Sequence, residues 1–233
     1  MSNTMQGVKQ SKNYWLTGGD VHLIVEDCEF CVHRYFFVRD SAKFRELLTP
    51  AEPASAPAAN GKSAPAPAAL PASTHLTAIK LPNVTTKEFE TFLWVFYNPT
   101  YSLYDASVSD WTTILRLGKR WEFVEVEKLA IRELEKLPMP VVDRIVLYLQ
   151  YSAASEEHFI PHYATLCKRG HPLSLEESNE LGMNTVVLIN QVLHALHAPA
   201  SSVSTDPLVV RIVTYIKGAA GTSTQKRLLK MAS

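Results

Sequence analysis

The chain has 233 residues, of which 46% are hydrophobic, enough to bury the core of one large domain or of a smaller domain with an extension. Its 23 basic and 23 acidic side chains give a formal net charge of zero, which argues against a nucleic-acid surface and against an acidic solvating tail. Three cysteines are too few, and odd in number, for a disulfide framework, so a reducing cytoplasmic or nuclear compartment is expected.

The first predicted structure is a short β-hairpin. Residues 1–14 are polar and show no signal peptide, and residues 1–18 are predicted to be a flexible lead-in. Side chains then alternate over residues 21–26 with the period of two that is typical of a strand. Asp27-Cys28 favours a turn, and Phe30 and Val32 restart the alternation, which predicts the second strand of the hairpin.

Two short helices and a low-complexity insertion are predicted next. Ser41 stands at the N-cap position of the second helix, which runs to Leu48. Residues 49–74 consist largely of Pro, Ala and Ser and cannot bury enough surface to offset their ordering entropy. We interpret them as a disordered insertion within one domain, because the hairpin lacks a further strand until Leu76–Leu81. Its replacement by a short Gly/Ser linker is expected to leave Tm nearly unchanged.

Two capped helices follow that strand. Thr85 or Thr86 is expected to cap the first, with Glu88 in its first turn, and Asn98-Pro99 ends it. Ser109 is predicted to cap the second. A third helix follows and is the last element of the domain. It ends near Leu137, where Pro138 and Pro140 stop it.

Residues 138–198 are predicted to form an all-helical extension. One helix covers Val141–Tyr151 and a second covers Glu156–Lys168. Ser174-Leu-Glu-Glu177 predicts a capping box that opens a third helix, and Gly182 is expected to kink or divide it.

The C-terminal end gives weaker signals. Val186–Ala198 is the longest mostly apolar run, and it is too short and too polar to span a bilayer. Residues 199–233 are predicted to be a tail, within which Leu208–Ile216 is compatible with either a strand or a helix.

Four segments, in this order along the chain, have distinctive patterns of aromatic and apolar residues: Phe30-x-Val-His33-Arg34, Ser41-x-x-Phe44, Phe89-x-x-Phe92-Leu93 and Leu115-x-Leu117-Gly118-x-x-Trp121. In this order they resemble the BTB (POZ) domain family over residues 19–137. Trp94-x-Phe96-Tyr97-Asn98-Pro99 is most similar to the fungal branch of that family. The resemblance implies an α/β fold with a small sheet flanked by a helix cluster, followed here by the all-helical extension.

This resemblance implies a non-catalytic protein-interaction module. It also implies that the module forms a homodimer through its first predicted strand, residues 21–26, and its first helix. In dimers of the family a matching acid and base lie close together in a charged pocket, which points to Asp20 and Arg34. The alternative for this pair is a partly exposed ion pair that contributes about 0–1 kcal/mol. The sequence has no Gly-x-Ser-x-Gly, no His-Glu-x-x-His and no phosphate-binding glycine loop, so neither an enzyme nor a cofactor is expected.

Two specialised roles of the family stay open. Some members recruit a cullin and act as substrate adaptors for ubiquitin ligation, and others dimerise transcription factors. Adaptors contact the cullin through an apolar residue followed two positions later by an acid, a pattern that Val108 and Asp110 match. Partners other than proteins, such as nucleic acid or membrane, are not expected.

A zinc site is the remote alternative. Cys28-x-x-Cys31-x-His33 with Cys167-x-x-x-His171 offers soft ligands suited to zinc. In a regular strand, however, the side chain of Cys31 opposes those of its neighbours, and Cys28 lies at the turn. The cysteines are therefore interpreted as structural, and by the resemblance His33 is a structural residue at the start of a helix.

Overall fold

The structure is a computed structural model that describes residues 8–48, 78–100, 105–151, 156–197 and 206–217. It divides into two compact units, Met1–Glu133 and Leu134–Ser233. The predicted insertion at residues 49–74 lies outside the described residues. Over the parts that are described, no helix has the length and apolar character needed to cross a membrane.

The described elements, in chain order, are strands β1 (Lys9–Trp15), β2 (Val21–Val25) and β3 (Cys28–Val32), helices α1 (Arg34–Asp40) and α2 (Ala42–Leu48), strand β4 (Ile79–Lys80), and helices α3 (Thr86–Tyr97), α4 (Val108–Arg120), α5 (Val124–Lys136), α6 (Val141–Tyr151), α7 (Glu156–Lys168) and α8 (Leu175–His197). A further helix, α9, covers residues 207–217.

The first unit is built on a four-stranded sheet with the order β1-β3-β2-β4. β2 and β3 form the predicted antiparallel hairpin, with Val21 opposite Val32 and Val25 opposite Cys28. β1 runs parallel to β3, and β4 runs parallel to β2. A small sheet combined with helices confirms the α/β fold class at this level of description.

The N-terminal strand β1 was not expected. The prediction of a flexible lead-in is wrong for Lys9–Trp15, whereas residues 1–7 lie outside the described part. The side chains of β1 are mostly polar and exposed, and Ser11 is the one that is buried. Backbone hydrogen bonds hold both ends of the strand. Lys9 N donates to Asp27 O at 2.7 Å, and Leu16, the residue that follows the strand, donates from its N to Cys31 O at 2.9 Å.

Local capping signals explain the start of two helices in the first unit. The predicted cap of α3 is confirmed, since the Thr85 hydroxyl accepts from Glu88 N and the Glu88 carboxylate accepts from Thr85 N. The prediction that Ser109 caps α4 is wrong, because Ser107 occupies that position. Ser107 Oγ accepts from Asp110 N, and Asp110 Oδ2 accepts from Ser107 N, both at 3.2 Å.

Aromatic rings fill the core of the first unit. Phe92 lies 5.1 Å from Trp121 and 5.2 Å from Phe123 between ring centroids, in edge-to-face arrangements. Ser41 is also fully buried there; its Oγ accepts from Phe44 N at 2.9 Å and donates to Trp121 O at 2.5 Å. The predicted cap at Ser41 is confirmed, and the same hydroxyl joins α2 to the end of α4.

The second unit is helical in its described part. α6 and α7 have the predicted bounds. The capping box at the start of α8 is confirmed, since Ser174 Oγ accepts from Glu177 N and the Glu177 carboxylate accepts from Ser174 N. Gly182 breaks the helix as expected, with φ 76° and ψ 157°.

The C-terminal segment belongs to the core of this second unit. The prediction of a tail is wrong for residues 207–217, which form α9 and bury Val209, Ile212 and Ile216. These three side chains recur at spacings of three and four residues, which is the apolar stripe of an amphipathic helix. Residues 218–233 lie outside the described part.

Candidate interaction site

Asp20 lies where the hairpin meets the start of α1. Its backbone amide donates to Val32 O at 3.0 Å, which continues the hairpin by one residue. Its side-chain Oδ1 accepts from the backbone N of Arg34 at 2.6 Å. Because the first amides of a helix lack intrahelical partners, a carboxylate at this position satisfies one of them and complements the helix dipole.

The Arg34 guanidinium points to a different partner. Nη1 donates to Leu48 O, the end of α2, at 2.6 Å. Asp20 and Arg34 are therefore in contact as expected, but through a backbone amide, and the described residues show no ion pair between their side chains. The two residues fix α1 to the hairpin on one side and to α2 on the other.

His33 is the N-cap residue of α1 and is held from the end of α3. Its backbone N donates to Tyr97 Oη at 3.0 Å, and its ring Nδ1 lies 3.2 Å from the same oxygen. Burial raises the pKa of Tyr97. His33 therefore lies at the start of a helix, as the resemblance implies, and is partly buried. Its link to Tyr97 was missed, because nothing local joins residues 64 positions apart.

Two large aromatic side chains near the ends of these elements are exposed, Tyr35 on α1 and Trp15 on β1. Tyr35 on α1 is 63% exposed, and the Arg39 guanidinium stacks over its ring at 5.1 Å. Asp40 holds this guanidinium with two hydrogen bonds of 2.5 and 2.6 Å. Trp15 on β1 is 39% exposed. An ordered aromatic and arginine surface of this kind is typical of protein interfaces.

The start of α4 contains the other predicted contact residues, Val108 and Asp110. Asp110 Oδ2 accepts from both the N and the Oγ of Ser107, the latter at 2.7 Å. Val108 is the first residue of the helix and is partly buried. The hydrogen bonds of the capping box give the Asp110 carboxylate a structural role that needs no binding partner.

The cysteines of the hairpin do not converge on His33. Cys31 Sγ lies 3.9 Å from His22 Nε2, and His22 Nδ1 lies 2.9 Å from Glu29 Oε1. This order of thiol, imidazole and carboxylate is also that of a nucleophile with its base. Cys31 is buried, however, and desolvation raises the pKa of its thiol, which is the behaviour of a structural cysteine.

The alternative of a zinc site finds no support in the described residues. Cys167 belongs to the second unit, and burial raises the pKa of its thiol to about 11. Over the described ranges, no group of three or more His, Cys, Asp or Glu side chains is placed to hold a metal ion. All three cysteines are free.

Comparison with models of known protein families, with curated proteins and with solved structures finds no match.

Proposed function

We propose that the chain is a non-catalytic protein-interaction module of the BTB/POZ type that forms a homodimer through a surface that includes its first helix, α1. The observation that carries this proposal is the exposed aromatic surface of α1, where Tyr35 is 63% exposed beneath the stacked Arg39 guanidinium. Large aromatic and arginine side chains are the residues that most often dominate the binding energy of protein interfaces.

The rigidity of this surface supports the proposal. α1 has seven residues and is too short to be stable on its own. Asp20 satisfies an amide at its start, and Arg34 connects it to Leu48. A preorganised surface loses less conformational entropy on binding, which favours association.

The chemistry of the best-placed reactive group among the described residues favours the non-catalytic part of the proposal. In the described residues the nearest approach to one is Cys31 with His22 and Glu29, and its thiol is buried with a raised pKa. A nucleophilic cysteine needs a lowered pKa and access to its substrate.

The proposal is tested by light scattering after size exclusion of the full chain. The expected mass is about twice the 26.0 kDa of the chain. Tyr35→Asp places a charge in the interface and is expected to shift the protein to monomer. Tyr215→Asp is the matched control, since Tyr215 is also about half exposed, at 46%, but lies in the second unit.

Two outcomes contradict the proposal. A monomer of wild-type protein at micromolar concentration is incompatible with a functional homodimer. A dimer that persists in Tyr35→Asp shows that the chain associates through a different surface.

A cullin-dependent ubiquitin-ligase adaptor is the second candidate function. The observation that favours it is the helix pair α6 and α7, since such a pair contributes to cullin binding in adaptors of the resembling family. Against it, the Asp110 carboxylate is already used by Ser107. Calorimetry with a cullin N-terminal domain is expected to show weak or no binding, and micromolar or tighter binding that is lost in Val108→Asp would make the adaptor the preferred function.

A further inference from the structure

A second surface of the first unit is a groove of about 530 Å³ formed by α2, β4 and the end of α4. Its lining includes Phe44, Leu81 and Trp121, whose side chains are almost fully buried, and Leu47, which is 48% exposed. The volume is in the range of sites that bind ligands or peptide side chains. None of these residues belongs to the exposed surface of α1.

Among the described strands, one side of this groove is an edge of the sheet. β4 is the last strand in the sheet order, and its Lys80 pairs with Ile24 of β2. Leu81 N donates to Ile24 O at 2.8 Å. Because neighbouring residues of a strand direct their N–H and C=O groups to opposite edges, those of Lys80 point away from β2. An extended peptide can pair with these groups at the edge.

The groove is also positively charged. Lys43, Lys80 and Arg120 line it, against one acid, Glu46. The Arg120 guanidinium is held by two backbone carbonyls at 2.6 and 2.7 Å, and Lys43 Nζ donates to Arg120 O at 3.2 Å. Within the described part of the chain, none of the three cations forms an ion pair with a carboxylate. The preferred ligand is therefore an anion with an apolar part.

We propose that this groove binds an extended acidic peptide segment of a partner protein. One apolar side chain of the peptide lies against Leu47 and Trp121, acidic side chains approach Lys80 and Lys43, and the peptide backbone pairs with Lys80. The apolar lining distinguishes this ligand from free phosphate. Since a single residue of β4 supplies the edge hydrogen bonds, most of the affinity comes from the side chains.

The first test is a selection with the immobilised full chain from a displayed library of random eight-residue peptides. Enrichment of sequences that combine two or more acidic residues with one large apolar residue is the expected result. Failure to enrich any sequence, or enrichment of basic or wholly apolar ones, overturns the proposal.

The second test measures binding of a selected synthetic peptide by fluorescence polarisation. Lys80→Glu and Leu47→Asp are each expected to weaken binding about ten-fold or more, and added salt should weaken binding to the wild type. Lys12→Glu is the matched control, because it reverses one exposed charge on β1, the opposite edge strand, and should leave binding unchanged. Far-UV circular dichroism checks that each variant is folded.

The proposal that the peptide binds in this groove is contradicted if Lys80→Glu binds the peptide as tightly as wild type does. It is also contradicted if Lys12→Glu weakens peptide binding as much as Lys80→Glu does. The variant Tyr35→Asp keeps the groove and should bind the peptide with wild-type affinity. Peptide binding and homodimerisation therefore fail or succeed independently of each other.

Discussion

Asp20 Oδ1 lies 2.6 Å from the backbone N of Arg34, the first residue of α1, and this hydrogen bond takes the place of a cap from His33, whose own side chain does not cap the helix. The acid therefore acts on the stability of the first unit as well as on any interface. A loss of dimer in an Asp20 variant must be separated from a loss of folding before it is interpreted.

Asp20→Ala is expected to destabilise the first unit by about 0.5–2 kcal/mol, the usual cost of removing a cap. Asp20→Asn keeps a side-chain oxygen as acceptor and should therefore lower the stability of the first unit by less than Asp20→Ala does. Denaturant unfolding followed by tryptophan fluorescence measures the difference, because all four tryptophans lie in the first unit. Equal stability of Asp20→Ala and wild type shows that solvent satisfies the Arg34 amide equally well.

Ser41→Ala should be more destabilising, by about 1–3 kcal/mol, since it removes a cap and leaves a buried carbonyl without its donor. The two partners lost are Phe44 N and Trp121 O, at 2.9 and 2.5 Å. The same fluorescence-monitored unfolding reports the change. A loss below that of an exposed cap such as Ser107 argues that the buried carbonyl finds another donor.

Ser107→Ala and Ser109→Ala distinguish the true cap of α4 from the serine expected from sequence. We expect Ser107→Ala to cost about 1 kcal/mol and Ser109→Ala close to nothing. The capping box joins Ser107 to Asp110, whereas Ser109 is exposed in the first turn. Thermal unfolding of the two variants under one condition decides between them, and the reverse order of stability contradicts the structure.

Glu177→Gln should lower the stability of the second unit in a pH-dependent way. Hydrogen bonds from the Arg169 guanidinium, and then from the Ser174 amide, lower the pKa of Glu177 from 4.5 to about 2. Because the folded pKa lies below the unfolded one, the carboxylate stabilises the fold above pH 4.5, and this contribution is lost as the pH falls towards 2.

The variant is therefore expected to be less stable than wild type by about 0.5–1 kcal/mol at neutral pH, with a difference that shrinks below pH 4.5. Far-UV circular dichroism during thermal unfolding measures it at several pH values. Glu180→Gln, exposed on the same helix, is the control. A difference that stays constant down to low pH excludes the Arg169 pair as its cause.

Sequence patterns placed Asp20 and Arg34 close together but did not indicate which of their atoms form the bond. Asp20 and Arg34 were expected to be neighbours, and they are, but the bonded atoms are a carboxylate and an amide. The aromatic surface at Tyr35 and the groove beside Lys80 were not predicted. A lone exposed aromatic residue or lysine gives no periodic signal, and its meaning depends on which distant elements lie beside it.

The sequence by itself determined the local elements, namely the hairpin, the capping boxes at Thr85 and Ser174, and the helix break at Gly182. Each depends on residues within a few positions of one another, so their spacing is visible in the chain. The tertiary structure alone decided that polar Lys9–Trp15 joins the sheet, and that residues 207–217 form a helix rather than a strand, with one apolar face in the core of the second unit. The strand depends on backbone hydrogen bonds to distant residues, which side-chain periodicity does not encode. The helix has a helical apolar spacing in the sequence, but its segment is too short for that spacing to exclude a strand, and contacts with the rest of the second unit decide.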